Sequence, residues 1–429
     1  MKSLRNKKLL ILGGSAIMII PVQKAKSMGL YTIVTDWHPI EKSPAKQIAD
    51  EYWNISLMDY NLLAAKIKEE KIDGIFTGFT DKFLLAYQHL CELTGLPCYA
   101  SKEIFETTLD KSKFKQLCID NDVPVVPAYD LKTFSPNVIS KDNKIIIKPV
   151  DNSGSLGIIS CDDPKMFQDC LDYALSFSDK KQVVIEKYID MDSFSVSYTI
   201  QDSVISMSTI NDRIVHKVAG AGAVTNGGVY PSKYIDSYLE KMDKKVREMY
   251  KRLGLKNGVL FIQGFTNGND YYFLEMGYRI SGGHHFIYTG NQNMTDALEQ
   301  LIHFAITGKM AEYNIAERDN PRFNDLCFQW NILGREGTIC KVEGFDKIEN
   351  MPEVISCSLS KRPGDRIGKD GTTTQKLAVL HLVLKDKCQV KSTLQYIYSH
   401  FKVYDADGQS LVLDTREEAI KYFDTYYIC

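Results

Sequence analysis

The sequence has no C-x-x-C pair and no histidines clustered at metal-ligand spacing, although its 429 residues include 10 cysteines and 8 histidines. Structural zinc and a disulfide framework are therefore excluded as expectations, and reduced thiols in a cytoplasm are the expected state. Cys91, Cys118 and Cys170 fall in apolar helical patterns and read as core residues. There is no basic tract either: 52 Lys and Arg are interspersed with 54 Asp and Glu, which argues against nucleic acid as a partner. No apolar run reaches the roughly 20 residues that cross a membrane. The longest candidate, "LLILGGSAIMII", is interrupted by Gly13 and Gly14, stops at Pro21 and lacks a small-residue cleavage site, so neither a span nor a signal peptide is expected. Internal repeats and low-complexity segments are absent. What remains is an ordinary globular composition, 44% hydrophobic and 25% charged, long enough for roughly two to four domains.

The first hundred residues alternate between strand and helix periods. "KKLLILGG", "LYTIVTD" and "IDGIFTG" read as buried strands, and the intervening segments as helices, one closed by Gly29. This predicts a βαβαβ unit on a parallel sheet, with "FLLAYQHLCELTG" as a further helix ending at Gly95. Gly13, Gly14 and Asp36 could mark a dinucleotide site and hence an NAD-dependent oxidoreductase, but the third glycine of that fingerprint is missing. A tight turn capped by Asp36 is the plainer reading. "GDRIGKD" near 364 lacks the glycine spacing and the Ser/Thr of a phosphate loop. From about 101 a helical stretch, "SKEIFETTLDKSKFKQLCIDND", leads through the prolines of "VPVVPAYD" into short strands that predict an antiparallel α+β region with a cleft between lobes.

Three strand ends carry chemistry. In "IIIKPVDNSGSLGI" an apolar strand ends at Lys148 and enters a loop whose Gly154 and Gly157 let backbone N–H groups close on phosphate oxygens. "VVIEKYI" ends at Glu186 and Lys187, where backbone groups beside a carboxylate can recognise an adenine amino group, with Tyr188 and Ile189 as apolar surface. "GVLFIQGFTNGNDYYFLEMGYR" reads as a hairpin that sets Gln263 beside Glu275, two oxygen ligands suited to magnesium, with Arg279 as a forked anion donor. Each residue has a plain alternative: Lys148 and Lys187 as solvated charges, Glu186 as partner of either, Glu275 with Arg279 as an ion pair. His284 and His285 either line a substrate pocket or pack, and Arg213, His216 and Lys217 are either anion contacts or part of an exposed hairpin. "AGAGAVTNGG" after them reads as a flexible substrate loop.

Taken in this order and spacing, the three pieces resemble the ATP-grasp superfamily, particularly its biotin carboxylase-like and carbamoyl-phosphate synthase-like members, over residues 1 to about 310. The resemblance implies an α/β and α+β multidomain fold: a Rossmann-like pre-ATP-grasp domain over 1–100, an ATP-grasp domain over 101–310 with lobes at about 111–190 and 191–310, and a C-terminal α+β lid over 311–429. It implies ATP and Mg2+ as cofactors, with Lys111 in "LDKSKF" and Lys148 on the phosphates. Ser153, Gly154, Ser155 and Gly157 would lie in the closing loop, and Glu186, Lys187, Tyr188 and Ile189 at the adenine. Gln263 and Glu275 would ligate the metal, and Arg279 would steady an acyl-phosphate. The implied activity is carboxylate-amine or carboxylate-thiol ligation of small molecules, with a homodimer as the default assembly. Two positions depart from the family: "EMGYR" has Gly277 where E-x-N-x-R has Asn, and Ser193, next to Asp192, replaces a ribose-binding acid. These departures support an alternative, a nucleotide-binding protein without turnover. In the tail, Ser392 with Gln395 and Thr415 with Glu418 read as capping boxes, "VYDADGQSLVL" as a hairpin and "KRPGDRIGKDGTTTQ" as a surface loop.

Overall fold

A computed structural model describes residues 4–150, 156–218 and 223–426. Its first sheet is parallel, with strands in the order Glu51–Trp53, Tyr31–Thr35, Lys8–Leu12 and Gly74–Phe76. The helices Ile19–Ser27, Tyr60–Glu69 and Leu84–Thr94 follow as the periodicity predicts, and Gly95 closes the last in the left-handed region. Strand Glu51–Trp53 is additional; three residues are too few for a period to show. Close packing requires both glycines of the Gly13 turn. A Cβ on Gly13 would lie 2.7 Å from the Phe83 ring, one on Gly14 would lie 2.8 Å from Ser43, and the Asp36 carboxylate accepts the Gly14 N–H at 2.9 Å. Its other oxygen accepts the His38 N–H, so Asp36 is the turn cap, and both oxygens that the dinucleotide reading would give to a ribose are taken.

The helical stretch after 101 is two helices, Lys102–Leu109 and Lys111–Ile119, broken at Asp110. Asp110 leaves helical geometry and accepts from the N–H groups of Ser112 and Lys113, which starts the second helix and aims its first turn at the cleft. A small antiparallel sheet, ordered Ala128–Tyr129, Val183–Lys187, Ile145–Pro149 and Ile159–Cys161, buries Ile145, Ile147 and Ile185 against helix Phe167–Ser176.

The large sheet is antiparallel and runs Tyr271–Gly277, Gly258–Thr266, Asp192–Gln201, Val204–Lys217, Ala223–Tyr230, Leu326–Gly334, Lys376–Leu384 and Val354–Leu359. Its last three strands come from the segment expected to form a separate C-terminal element; here they continue the same sheet, and Ile214 and Val229 share a core with Leu380 and Leu394. Part of the expected flexible loop "AGAGAVTNGG" is strand Ala223–Tyr230, while 219–222 lie outside the described residues. The parallel domain packs on the large lobe so closely that a Cβ on Gly74 would meet the Ala305 carbonyl at 2.2 Å.

Neither expected capping box forms. Ser392 lies inside helix Gln389–His400 and bonds back to the Gln389 carbonyl, while the Thr415 hydroxyl bonds Tyr398 and Glu418 turns to His216 and Asn226. The helix of Ser392 begins earlier, at Gln389, whereas for Thr415 and Glu418 side-chain partners elsewhere outcompete the local cap. Cys91, Cys98, Cys118, Cys161, Cys170, Cys327, Cys340 and Cys357 are free, whereas Cys388 is disulfide-bonded, a departure from the all-thiol expectation that isolated spacing could not reveal. Among the described residues no helix is long and apolar enough to cross a membrane.

Candidate active site

The small sheet pairs Lys148 with Val184 and Ile146 with Glu186, so the lysine and the glutamate stand on neighbouring strands. Their side chains meet: Lys148 Nζ lies 2.5 Å from Glu186 Oε2, and Lys115 Nζ bonds the other oxygen of the same carboxylate. Lys148 and Glu186 are buried. Burial pushes the Lys148 ammonium below its usual range; Glu186 opposes this, and the charges of Lys111 and Lys115 add to it. Lys115 and Lys148 thus share one carboxylate while Lys111 adds its charge nearby, leaving an excess of positive charge at the end of strand Ile145–Pro149. The reading of Glu186 as a lysine partner holds, without removing it from the site. Lys115 was missed by sequence reasoning. Its signal was the spacing of four from Lys111, which puts both on one face of helix Lys111–Ile119.

Ser153, Gly154 and Ser155 lie outside the described residues. Gly157 has φ +77°, and a Cβ there would fall 2.5 Å from Phe177 and 2.7 Å from Pro149, so only glycine fits where the loop returns. Lys187 is exposed and its N–H bonds Pro127 O, and the Tyr188 N–H bonds Lys144 O. Half-buried Ile189 makes no such bond through its N–H among the described residues, leaving a donor at the strand end.

Gln263 and Glu275 are direct partners across the hairpin. The Glu275 carboxylate has no hydrogen-bond or ion-pair partner among the described residues, while Gln263 Oε1 accepts from Arg213 Nη1 at 3.0 Å. Two adjacent side-chain oxygens, one an unpaired carboxylate, suit a hard cation that takes its other ligands from phosphates and water. Arg213 also donates to Ser193 Oγ at 3.3 Å and Thr225 Oγ1 at 2.5 Å. Ser193, which departs from the family pattern, is therefore part of the arginine's cradle. Asp192 is committed to Lys233 and Tyr234.

Arg279 does not pair with Glu275. Its fork closes on Asp81 of the parallel domain, with Nε to Oδ1 at 2.7 Å and Nη2 to Oδ2 at 2.5 Å, and it lies over the Phe261 ring. In this conformation the donor expected to face an anion ties two domains together. Phe261 also explains Gly277: the two are cross-strand partners, and a Cβ on Gly277 would lie 2.5 Å from the ring. His216 is held by Glu418, and Lys217 is exposed near Asp190. His284 and His285 are buried, and burial pulls their imidazoles down to about 4 and about 3, so both are neutral at pH 7. A cavity of about 250 Å³ lined by Ile205, Met207, Arg247 and Asp319 contains none of these groups.

Residues 109–283 match the family model described as ATP-grasp domain, and the chain carries that domain there. It superposes on the L-amino acid ligase from Bacillus licheniformis with a TM-score of 0.76 at 15% identity, covering 94% of this chain and 99% of that one. The biotin carboxylase domain of Hydrogenobacter thermophilus 2-oxoglutarate carboxylase, in a complex with MgADP, ADP and bicarbonate, superposes with a TM-score of 0.73 at 16% identity over 98% of this chain and 97% of that one. By sequence, an uncharacterized protein of Sinorhizobium fredii, y4rH, is 22% identical over 336 residues, 76% of this chain and 67% of that protein.

Proposed function

We propose that the protein is an ATP-dependent ligase that activates a carboxylate as an acyl-phosphate and joins it to an amine, or to a thiol, releasing ADP and phosphate. The observation that carries this reading is the pairing of two opposite charge arrangements in one ATP-grasp domain: Lys115 and Lys148 on Glu186, and a Glu275 carboxylate beside Gln263 that has no hydrogen-bond or ion-pair partner among the described residues. Solved relatives of this fold include the ligase and the MgADP-bound carboxylase domain described above.

Lys111, Lys115 and Lys148 would hold the triphosphate, with Glu186 keeping the lysines positioned before nucleotide arrives. The N–H of Ile189 and the backbone around Lys187 would meet the adenine edge. Gln263 and Glu275 would hold magnesium, which when bound neutralises charge on the β- and γ-phosphates. A substrate carboxylate oxygen attacks the γ-phosphorus as the bond to the ADP oxygen breaks. The amine nitrogen then attacks the acyl carbon, phosphate leaves with the C–O electron pair, and the amine proton passes to solvent or phosphate. Arg213, cradled by Ser193, Thr225 and Gln263, is positioned for the negative charge that develops. Small-molecule substrates, a homodimer and a cytoplasmic setting belong to the same reading.

The test is magnesium-dependent ADP release with pooled amino acids and small carboxylates. A pool should stimulate the wild type, and Lys148→Ala and Glu275→Gln should abolish the response. Nucleotide binding without stimulation by any pool would favour a binding protein without turnover, and no nucleotide binding would overturn the reading.

A further inference from the structure

Burying a cation is expensive unless an anion or several dipoles meet it. Lys46 meets the carbonyls of Asp36 and His38 and the amide oxygen of Asn54, Lys148 meets Glu186, and Arg213 meets three side-chain oxygens. Lys376 is the exception. It opens strand Lys376–Leu384 in the tail segment, outside the matched domain, and its ammonium makes no hydrogen bond or ion pair among the described residues. Burial, with the Arg213 guanidinium nearby, pushes its ammonium down to about 8. The residue is nonetheless only half-buried, so part of it stays open to solvent.

The surroundings are polar, and the one charged side chain named among them, Arg213, faces Glu275. Across the large sheet Arg213 pairs with Gly228, Gly228 with Gln329, and Gln329 with His381, which sets Arg213, Gln329 and His381 on one face. The SGGHH turn lies over this row: a Cβ on Gly283 would fall 3.3 Å from Gln329 Oε1 and 3.6 Å from the Tyr230 hydroxyl, and the His284 and His381 rings are 5.5 Å apart. His284 Nε2 and His381 Nε2 are buried without hydrogen-bond partners among the described residues. Burial and the Lys376 charge hold both imidazoles uncharged at neutral pH. Arg213 interacts electrostatically with Glu275 as well as with Lys376, so it joins this cluster to the metal ligands.

We propose that Lys376, with the unpartnered nitrogens of His284 and His381, is a docking site for a carboxylate that one co-substrate carries in addition to its reacting group. The inference rests on the ligase reading and assigns a substrate class to it. With Arg213 facing Glu275, the Lys376 ammonium is a positive charge that no described side chain pairs, which matches a single negative charge. The extra carboxylate belongs either to a dicarboxylic acid being activated or to an amino acid acting as the amine.

Two arms separate these sources. In the first, succinate, glutarate and adipate are compared with butyrate, pentanoate and hexanoate, with hydroxylamine trapping any acyl-phosphate as a hydroxamate. In the second, amino acids are compared with their amides as nucleophiles for whichever acid responds. Wild type, Lys376→Met and Lys376→Arg are measured in each arm, alongside MgATP binding. In one arm the carboxylated form should be preferred by about tenfold or more over its uncharged counterpart. Lys376→Met should erase that preference through KM with kcat little changed, Lys376→Arg should retain most of it, and MgATP affinity should be unaltered. Lys376→Met should also raise Tm, because it removes a buried cation that has no partner. An unchanged preference in Lys376→Met, no preference in either arm, or a lowered Tm would overturn the inference. Loss of MgATP binding by the wild type would instead overturn the ligase reading beneath it.

Discussion

Gly277 stands where an ATP-grasp asparagine is expected because its cross-strand partner is Phe261, whose ring fills the space a Cβ would need. Gly277→Asn should therefore destabilise the protein by about 1–3 kcal/mol through overpacking, without improving magnesium dependence. Phe261→Ala combined with Gly277→Asn should recover part of that loss; denaturant midpoints and the magnesium KM check both. Glu186 invites a second prediction. Its carboxylate serves two lysines while a third stands near, so Glu186→Gln leaves buried ammonium groups uncompensated and should cost about 3 kcal/mol or more. A triphosphate would resupply the missing negative charge. MgATP should raise the Tm of Glu186→Gln by more than it raises the wild type's, and an equal or smaller shift would mean the lysines do not face the nucleotide.

At the scale of elements, helix Lys111–Ile119 shows how a local signal positions a site. Asp110 caps it, and Lys111 and Lys115 then share one face, from which Lys115 reaches Glu186. The Ser112 hydroxyl, with N–H donors from Lys113 and Ser112, holds the Asp110 carboxyl below the usual range. Asp110→Ala should lower stability by about 1 kcal/mol and raise the ATP KM, whereas Asp110→Asn should keep most of both. Much of this level was legible in the sequence: the apolar runs ending at Lys148 and Glu186, and the hairpin that sets Gln263 against Glu275, are contacts between neighbouring strands with short-range signals. Lys115, Arg213 and Lys376 were harder. A lone charge in a strand looks alike whether it faces solvent or a cleft, and only the pairing of Ala223–Tyr230 with Leu326–Gly334 brings the tail beside the domain. Arg279 was read as an anion donor because Asp81, nearly two hundred positions away, carries no mark of their contact.

At the scale of the whole molecule, the junction of the parallel domain, the large lobe and the tail strands buries ionisable groups whose fields make stability depend on pH. His284 and His285 titrate near 4 and 3 in the fold against 6.5 in the unfolded chain, and His381 is lowered too. Between about pH 3 and 6.5 the unfolded chain binds more protons, so stability falls as pH drops through that window, with a slope of about 1.4 kcal/mol per pH unit for each proton fully taken up. Lys376, lowered to about 8 from 10.5, works in the same sense at the other end: from about 8 to 10.5 the unfolded chain binds the extra proton, so its contribution to stability rises with pH. Asp212 and Asp319 oppose the acid loss, since burial raises both and the fold takes up protons there before the unfolded chain does. Differences between variants isolate each contribution. Unfolding midpoints measured from pH 4 to 10 should show a shallower acid limb in His285→Leu, and the gain of Lys376→Met over wild type should shrink as pH rises from about 8 to 10. If the Lys376→Met difference from wild type stayed constant from pH 7 to 10, the ammonium would be as well solvated in the fold as in the unfolded chain, and the carboxylate site built on it would lose its physical basis.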